Sequence, residues 1–547
     1  MQRQTKVAII QLTRIGDLVQ TLQAARQFKA ENPDVELTLI ARSKFAKGIK
    51  FLLETVFDKF YLFETKDFFI EKSFDGALSE VNSFLSEINS NNFDMLVNLS
   101  FSKASAYLAN SLNAKVKFGL LRNNKNEIAI HDKWSQFVYS NVMTHGNSPF
   151  TLVDIYRYIL GVKENLVLTS DQSHKRSNSI VIHPFASQKK KRWGMNKWSE
   201  LIYKLAKDHP DFTFHIVGGN EDTKETSRLL HTPALQKYKD RIFGHAGKKN
   251  IGDVYQLLDK ANLFIGHDSM VSHLASETLT PSIIISLGTV RPFETTPYSE
   301  HVYNVVPKND CFSCTIEKTC ELLPCHSSIN YQVIANLAEG IIKNQVINKT
   351  WVENTINTFH LNSIKIFKSE YSEDGLQLNE ITNNFHNISD TFRNYYRIIW
   401  LYYLRGIETK NTLPKITNET AIKLHQYIKG VEYLYELYNF GVKYSNKIIE
   451  TSSDQKADIK IIKENIQRIG EIDQLCDITK KSYPELKALV NFFYVNKANA
   501  IGDNLVDISK SNLLNYYDAS NLVAVLGDFI EKSVSPHIEA TGLDKEV

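Results

Sequence analysis

GHDSMVSHLASE, residues 266–277, is the stretch on which the reading of the fold turns. It follows the apolar run Ala261-Asn262-Leu263-Phe264-Ile265, which reads as a short buried strand, and it opens into a helix. A strand that delivers Asp268, Ser269 and a helix start to one point makes an anion site. First-turn N–H groups have no partner inside the helix, and the helix dipole favours negative charge there. Ser269 suits the capping position, and His273 falls one turn on, on the same face. An ordinary capped helix with a half-buried histidine has the same local pattern, so the rest of the chain must decide.

Three other segments repeat the strand–turn–helix plan. KVAIIQLTRIGDLVQTLQAARQFKAENPDVELTLIAR, residues 6–42, reads as strand, turn, amphipathic helix and strand, a parallel α/β unit. Its turn holds a single glycine, Gly16, so it is not a dinucleotide fingerprint, and no phosphate-binding P-loop occurs in the chain. Asp17, just past the first strand, faces the crevice where open α/β sheets bind ligands, although a helix cap is an equal local explanation. IVIHPFASQKKKRWGMNKWSELIYKL, residues 180–205, places Ser187, Lys189, Lys190, Lys191 and Arg192 at a strand's carboxyl end. Four cations beside a helix start suit a phosphate ester or diphosphate, and a solvated lysine loop is the plain alternative. FTFHIVGGNEDTKETSRLL, residues 212–230, ends its strand in Gly218-Gly219, followed by Glu221 and Asp222. Glycines admit a ligand close to the backbone, and a carboxylate beyond them can accept bonds from sugar hydroxyls; a tight turn needs no more than the glycines.

Taken in order, the pieces RIGDLVQTLQAAR, DMLVNLSFSKASAYLANSLNAKVKFGL, IVIHPFASQKKKRW, FHIVGGNED, NIGDVYQLLDKANLFIGHDSMVSHLASETLTPSIIISLGT and PYSEHVYNVV resemble glycosyltransferase family 9, the heptosyltransferases of lipopolysaccharide core. The resemblance spans about residues 5–345. It implies a GT-B fold: two Rossmann-like domains facing a cleft, acceptor on the first and nucleotide sugar on the second. It further implies inverting chemistry with no cofactor required for catalysis. The family's general base falls on Asp17, next to Gly16. Its basic residue before a tryptophan falls on Lys191 and Arg192, its loop hydroxyl on Ser187, and its helix-start turn on Asp268, Ser269 and Met270, with His273 on the helix. Gly219 matches the glycines of the second domain, Glu221 or Asp222 its carboxylate, and Lys249, Asn250 and Ile251 the backbone lining of the adenine pocket. Met270 stands where relatives have glycine, which removes the freedom to adopt positive φ. ADP-heptose is the donor this resemblance implies, with a glycan, lipid or protein hydroxyl as acceptor. The alternatives are a protein O-heptosyltransferase acting on a bacterial surface protein, or an inactive nucleotide-sugar-binding protein.

Four of the five cysteines, Cys311, Cys314, Cys320 and Cys325, crowd one short segment. That thiolate density suits a small structural zinc or iron knuckle, the alternatives being a disulfide or free thiols. Some members of the resembling family carry an iron-holding cluster after the last strand, with wider spacing. No export signal is read at the start of the chain, so the cysteines are expected to stay reduced in the cytoplasm. Cys476 reads as a buried packing residue.

At 547 residues and 43% hydrophobic composition the chain can bury several cores, which sets the expectation at about three domains. The expected limits are 1–170 and 171–345 for the two Rossmann-like domains, joined by a polar hinge at 170–179, and 346–547 for a mainly helical accessory domain. Net charge of +3 makes no case for nucleic acid, and no apolar run approaches a transmembrane span. Peripheral contact with the inner membrane is compatible with a lipid acceptor. Residues 364–381 suggest a hairpin around Glu373-Asp374-Gly375, and 388–532 carry recurrent apolar positions at i, i+3 and i+4. That helical part is expected to recognise the acceptor or to join subunits of a homo-oligomer.

Overall fold

A computed structural model of the chain describes residues 4–64, 66, 73–166, 176–315, 320–408, 413–453 and 458–541. The chain divides into two compact units: residues 1–117 with 150–383, and residues 118–149 with 384–547.

The first unit contains two sheets. In the first sheet, β1 (Lys6–Gln11), β2 (Glu36–Arg42), β3 (Lys59–Phe63), β4 (Phe93–Asn98) and β5 (Ala114–Gly119) lie in the order β3-β2-β1-β4-β5. The β1 pairings to β2 and β4 are parallel. Val7 to Ile10 are fully buried, as continuous apolar runs are when helices cover both faces of a parallel sheet. Helix α1 (Ile15–Glu31) follows β1, and helix α2 (Leu152–Ile159) packs against it.

The second sheet comprises β6 (Ser177–His183), β7 (Thr213–Ile216), β8 (Ile242–Gly244), β9 (Ala261–His267), β10 (Ser282–Ile285) and β11 (Val302–Pro307). Their order is β8-β7-β6-β9-β10-β11, the doubly wound arrangement whose direction reverses between β6 and β9. Helix α3 (Ile251–Lys260) precedes β9 and helix α4 (Met270–Glu277) follows it. Two such lobes in one unit are the GT-B architecture. A core of Trp193, Trp198, Leu201, Phe214, Ile265, Ile285 and Val305 fills one face of the second sheet.

A hairpin, β12 (Ile364–Ser372) and β13 (Gly375–Glu380), adds antiparallel to the edge at β11. Its turn is tied down from inside the unit: Asp154 accepts from Arg157 Nε at 3.0 Å, Tyr298 OH at 2.8 Å and the Leu376 N–H at 3.2 Å. Gly375 has φ +115, and the Asp154 carboxylate occupies the place of any side chain there. The hairpin therefore belongs to the second sheet although it lies past residue 345.

The second unit is helical: α5 (Ile388–Arg405), α6 (Asn418–His425), α7 (Tyr427–Ser453), α8 (Ile459–Ser482), α9 (Lys487–Ala498) and α10 (Leu505–Thr541). It also takes in residues 118–149, which a contiguous reading assigns to the first domain. Trp134 and Phe137 are buried there, and Phe137 meets Trp400 edge-on with ring centres 5.5 Å apart. Most of the hinge expected at 170–179 lies outside the described residues. Among those described, no helix is long and apolar enough to cross a membrane.

Candidate active site

The direction reversal in the second sheet puts the ends of β6 and β9 side by side, and both strands end in a histidine. His267 Nε2 accepts from the Trp193 N–H at 3.0 Å while its Nδ1 donates to the Ile285 carbonyl at 3.0 Å, so the ring is neutral and fixed in one tautomer. Burial holds its pKa down to about 4. His183 Nδ1 lies 3.0 Å from Ser269 Oγ, and burial, with His267 and Arg192 nearby, pushes its pKa down to about 3. Together these rings fasten the basic turn and the start of α4 to the sheet. Neither figured among the expected site residues. The signal available was a lone histidine closing each apolar run, IVIH and FIGH.

Lys191 Nζ donates to Asp268 Oδ2 at 2.9 Å, with both side chains mostly covered. Arg192 turns away from Asp268: its Nε donates to the Ala186 carbonyl at 2.6 Å and its guanidinium lies 4.0 Å from Asp222 and 3.6 Å from Glu225. Asp222 is buried, accepts from the Gly219 N–H at 2.9 Å, and burial raises its pKa. Glu221, the other carboxylate expected near these glycines, is exposed, and its carboxylate fills the space beside Gly219. The carboxylate organised at these glycines is thus Asp222. Ser187 lies exposed on the turn.

At the start of α4, Ser272 Oγ accepts from the Ser269 N–H at 3.2 Å, while the Ser269 hydroxyl serves His183. Met270 is the first helical residue and has no positive φ, so a side chain fits at this turn without backbone strain. His273 is buried, with no hydrogen-bond partner for Nδ1. Burial lowers its pKa, Asp268 and Asp17 oppose that shift, and Lys191 adds to it. Groups from both lobes therefore surround one ring. Asp17, half-buried near the start of α1, accepts from the Arg14 N–H at 3.1 Å and so also closes its own helix. It raises the pKa of the buried Tyr156 phenol, second to burial itself.

Helices α1 and α4 meet directly. Gln23 Nε2 donates to Ser276 Oγ at 3.0 Å, and Arg26 grips Glu277 with two bonds of 3.2 and 2.7 Å. Since Gly16 abuts His273 and Arg26 abuts Glu277, both helix N-termini lie at the same end. Two positive dipole ends and Lys191 there face Asp17 and Asp268, an arrangement suited to a diphosphate beside a proton acceptor. The Ile251 side chain covers Gly48, and Phe51 meets Tyr255 edge-on. Lys249 is half-buried and depresses the pKa values of the stacked pair His215 and His245, in both cases after burial.

The cysteine segment backs the basic turn. The Cys314 N–H donates to the Gly288 carbonyl at 2.8 Å, Gly288 has φ +62 with the Lys190 backbone against it, and His326 Nε2 lies 2.9 Å from the Lys190 carbonyl. Burial raises the Cys325 pKa, and Cys314, Cys311 and Cys320 add to the rise. Among the described residues no group of ligands is arranged to hold a metal ion.

Residues 81–326 match the model of glycosyltransferase family 9 (heptosyltransferase). The chain is a glycosyltransferase with a segment that matches family 9. The match includes Lys191, Asp268, His273 and the four clustered cysteines, and begins after Asp17. Lipopolysaccharide heptosyltransferase 1 of Campylobacter coli is 25% identical over 298 residues, covering 51% of this chain and 83% of that protein. Lipopolysaccharide heptosyltransferase 3 of Escherichia coli K12 is 24% identical over 306 residues, covering 52% and 83%. The solved ADP-heptose lipopolysaccharide heptosyltransferase II of E. coli aligns with a TM-score of 0.47 at 14% identity, over 62% of this chain and 99% of that one. The residues matched to family 9 take in the second sheet from β6 through β11.

Proposed function

We propose that this glycosyltransferase transfers a heptose or related sugar, with inversion, from an ADP-activated donor to a hydroxyl of lipopolysaccharide core or another glycan. One observation carries the reading: Gly16, next to Asp17 at the start of α1, abuts His273 on α4, and Lys191 pairs with Asp268 just ahead of the same helix. The diphosphate would take the open N–H groups of α4 and share Lys191 with Asp268, Arg192 lying further along the same turn. Asp17 would receive the acceptor proton as the acceptor oxygen bonds to the anomeric carbon. The bond from that carbon to the diphosphate oxygen breaks on the opposite side, and ADP leaves with the electron pair. Donor-sugar hydroxyls would meet Asp268, and of the two carboxylates after the glycines Asp222 rather than Glu221 would serve.

The cytoplasm is the place of reaction on this reading, where cysteines stay reduced. A structural metal on Cys311, Cys314, Cys320 and Cys325 rests on the crowding of these four cysteines in one short segment of the sequence, and has no part in the transfer step. Metal analysis of protein purified without chelators, finding less than a trace of zinc or iron, removes it.

The deciding experiment is mass spectrometry of products formed from ADP-heptose and candidate glycans, with the anomer assigned by NMR. Transfer with inversion supports the reading. Product formed equally well by Asp17→Ala overturns the base, and retention of configuration overturns the mechanism.

A further inference from the structure

The helical unit has a polar-ended groove. It lies between α5 and α10, encloses about 130 Å³, and is lined by Tyr402, Tyr403, Asp518, Asn521, Leu522 and Val525 among others. One end is aliphatic, with Leu522 and Val525. The other carries Asp518, whose Oδ2 accepts from the Tyr403 hydroxyl, and the exposed amide of Asn521. Tyr402 is 57% exposed and presents its ring at the rim. Just beside it, a cavity sharing Tyr403, Asp518 and Leu522 is bordered by Asn515, whose Nδ2 is enclosed and has no hydrogen-bond partner.

Charge at this place is balanced. Lys133 Nζ, 2.6 Å from Asn496 Oδ1 and set against the rings of Tyr403 and Phe492, lies within electrostatic reach of Asp518. A neutral groove offers nothing to a phosphate or to an anionic surface. An apolar cavity of about 150 Å³ takes a six-membered ring, so the size here is that of one ring with its substituents reaching solvent. An aromatic face beside a carboxylate and amides matches a ring with apolar C–H faces and hydroxyl edges.

We infer that this groove binds one neutral pyranose residue of the acceptor glycan, so that the helical unit holds the acceptor chain. The word acceptor rests on the glycosyltransferase reading; the sugar site itself does not. Tyr402 stacks on the ring face, and Asp518 with Asn521 takes its hydroxyls.

The test is saturation-transfer NMR on the full chain, with the methyl glycosides of glucose, galactose, mannose and N-acetylglucosamine as probes at millimolar concentration. At least one glycoside is expected to receive saturation on its ring protons. The effect should fall about fivefold in Tyr402→Ala and in Asn521→Ala, both substitutions at exposed side chains that leave the fold intact. Asp518→Asn should lower it as well. The rise in Tm on adding ADP, measured in parallel, should be the same in all four proteins. Absence of transfer to every glycoside, or equal transfer in wild type and the Tyr402 and Asn521 variants, overturns the proposal. A missing ADP effect in every protein would instead strike the glycosyltransferase reading and leave the sugar site to be judged by the NMR alone.

Discussion

Gly16 and His273 lie so close that a Cβ on Gly16 would come 3.0 Å from His273 Cδ2. The contact joins the first turns of α1 and α4, one from each lobe, and it explains a glycine where a helix start gains nothing from one. Gly16→Ala should gain up to about 1 kcal/mol in helix propensity and lose part of it to the crowded ring. Tm is therefore expected to change little, while kcat/KM falls about tenfold as the ring is displaced. Parallel thermal scans and steady-state kinetics separate the two effects; unchanged kinetics would mean the contact is only packing.

Asp17 has two roles to disentangle, since it closes the start of α1 through the Arg14 N–H and is the proposed base. Loss of the cap in Asp17→Ala should cost about 1 kcal/mol. Asp17→Asn retains an oxygen for that bond and should restore most of the stability. Turnover should fall about 100-fold or more in both variants, with ADP affinity by calorimetry unaltered. Recovery of activity along with stability in the Asn variant would show that the cap alone mattered.

Lys191→Met leaves the mostly covered Asp268 carboxylate without its cation, at an expected cost of about 2 kcal/mol after discounting the residual exposure of the pair. Adding Asp268→Asn should recover stability but not ADP binding, because the diphosphate still lacks its lysine. Denaturant unfolding and ADP titration of both single variants and the double variant complete the cycle.

The pair His183 and His267 sets an acid limit. Their pKa values in the folded chain, about 3 and about 4, lie below the unfolded value near 6.5. Above pH 6.5 both states are neutral and stability is full. As pH falls below it the unfolded chain takes up protons that the folded chain refuses, at about 1.4 kcal/mol per histidine per pH unit until the folded values are reached. Tm should drop between pH 6.5 and 4, and His267→Gln should flatten the curve. An unchanged slope in that variant would assign the acid loss to other groups.

In the helical unit, Gly441 on α7 faces Tyr516 on α10, and an added Cβ would fall 2.3 Å from the ring. Tyr516 is fully buried and cannot withdraw. Gly441→Ala should destabilise by about 1–3 kcal/mol, read as a lower Tm.

Much of the two-lobed unit was legible from residue order. Parallel strands covered on both faces need unbroken apolar runs, and the glycines, prolines and capping residues between them mark the turns. Val7 to Ile10, Ile180 to Ile182 and Leu263 to Ile265 read as strands for that reason. The Asp374-Gly375 pair likewise marked the hairpin, since Gly375 closes the turn at a positive φ that side chains rarely adopt. Each of these depends on neighbours within a few positions.

What only the tertiary structure decided depends on chain segments far apart. Residues 118–149 join helices that begin only at Ile388, because Trp134 and Phe137 find their apolar partners there. Of Glu221 and Asp222 it is Asp222 that turns inward, because the turn after Gly219 buries one carboxylate and exposes the other. His183 and His267 hold the basic turn only because the strand order reverses between β6 and β9, bringing together two strand ends that lie far apart in the sequence. Local pattern determines which elements form; register and packing between distant elements decide which side chains meet.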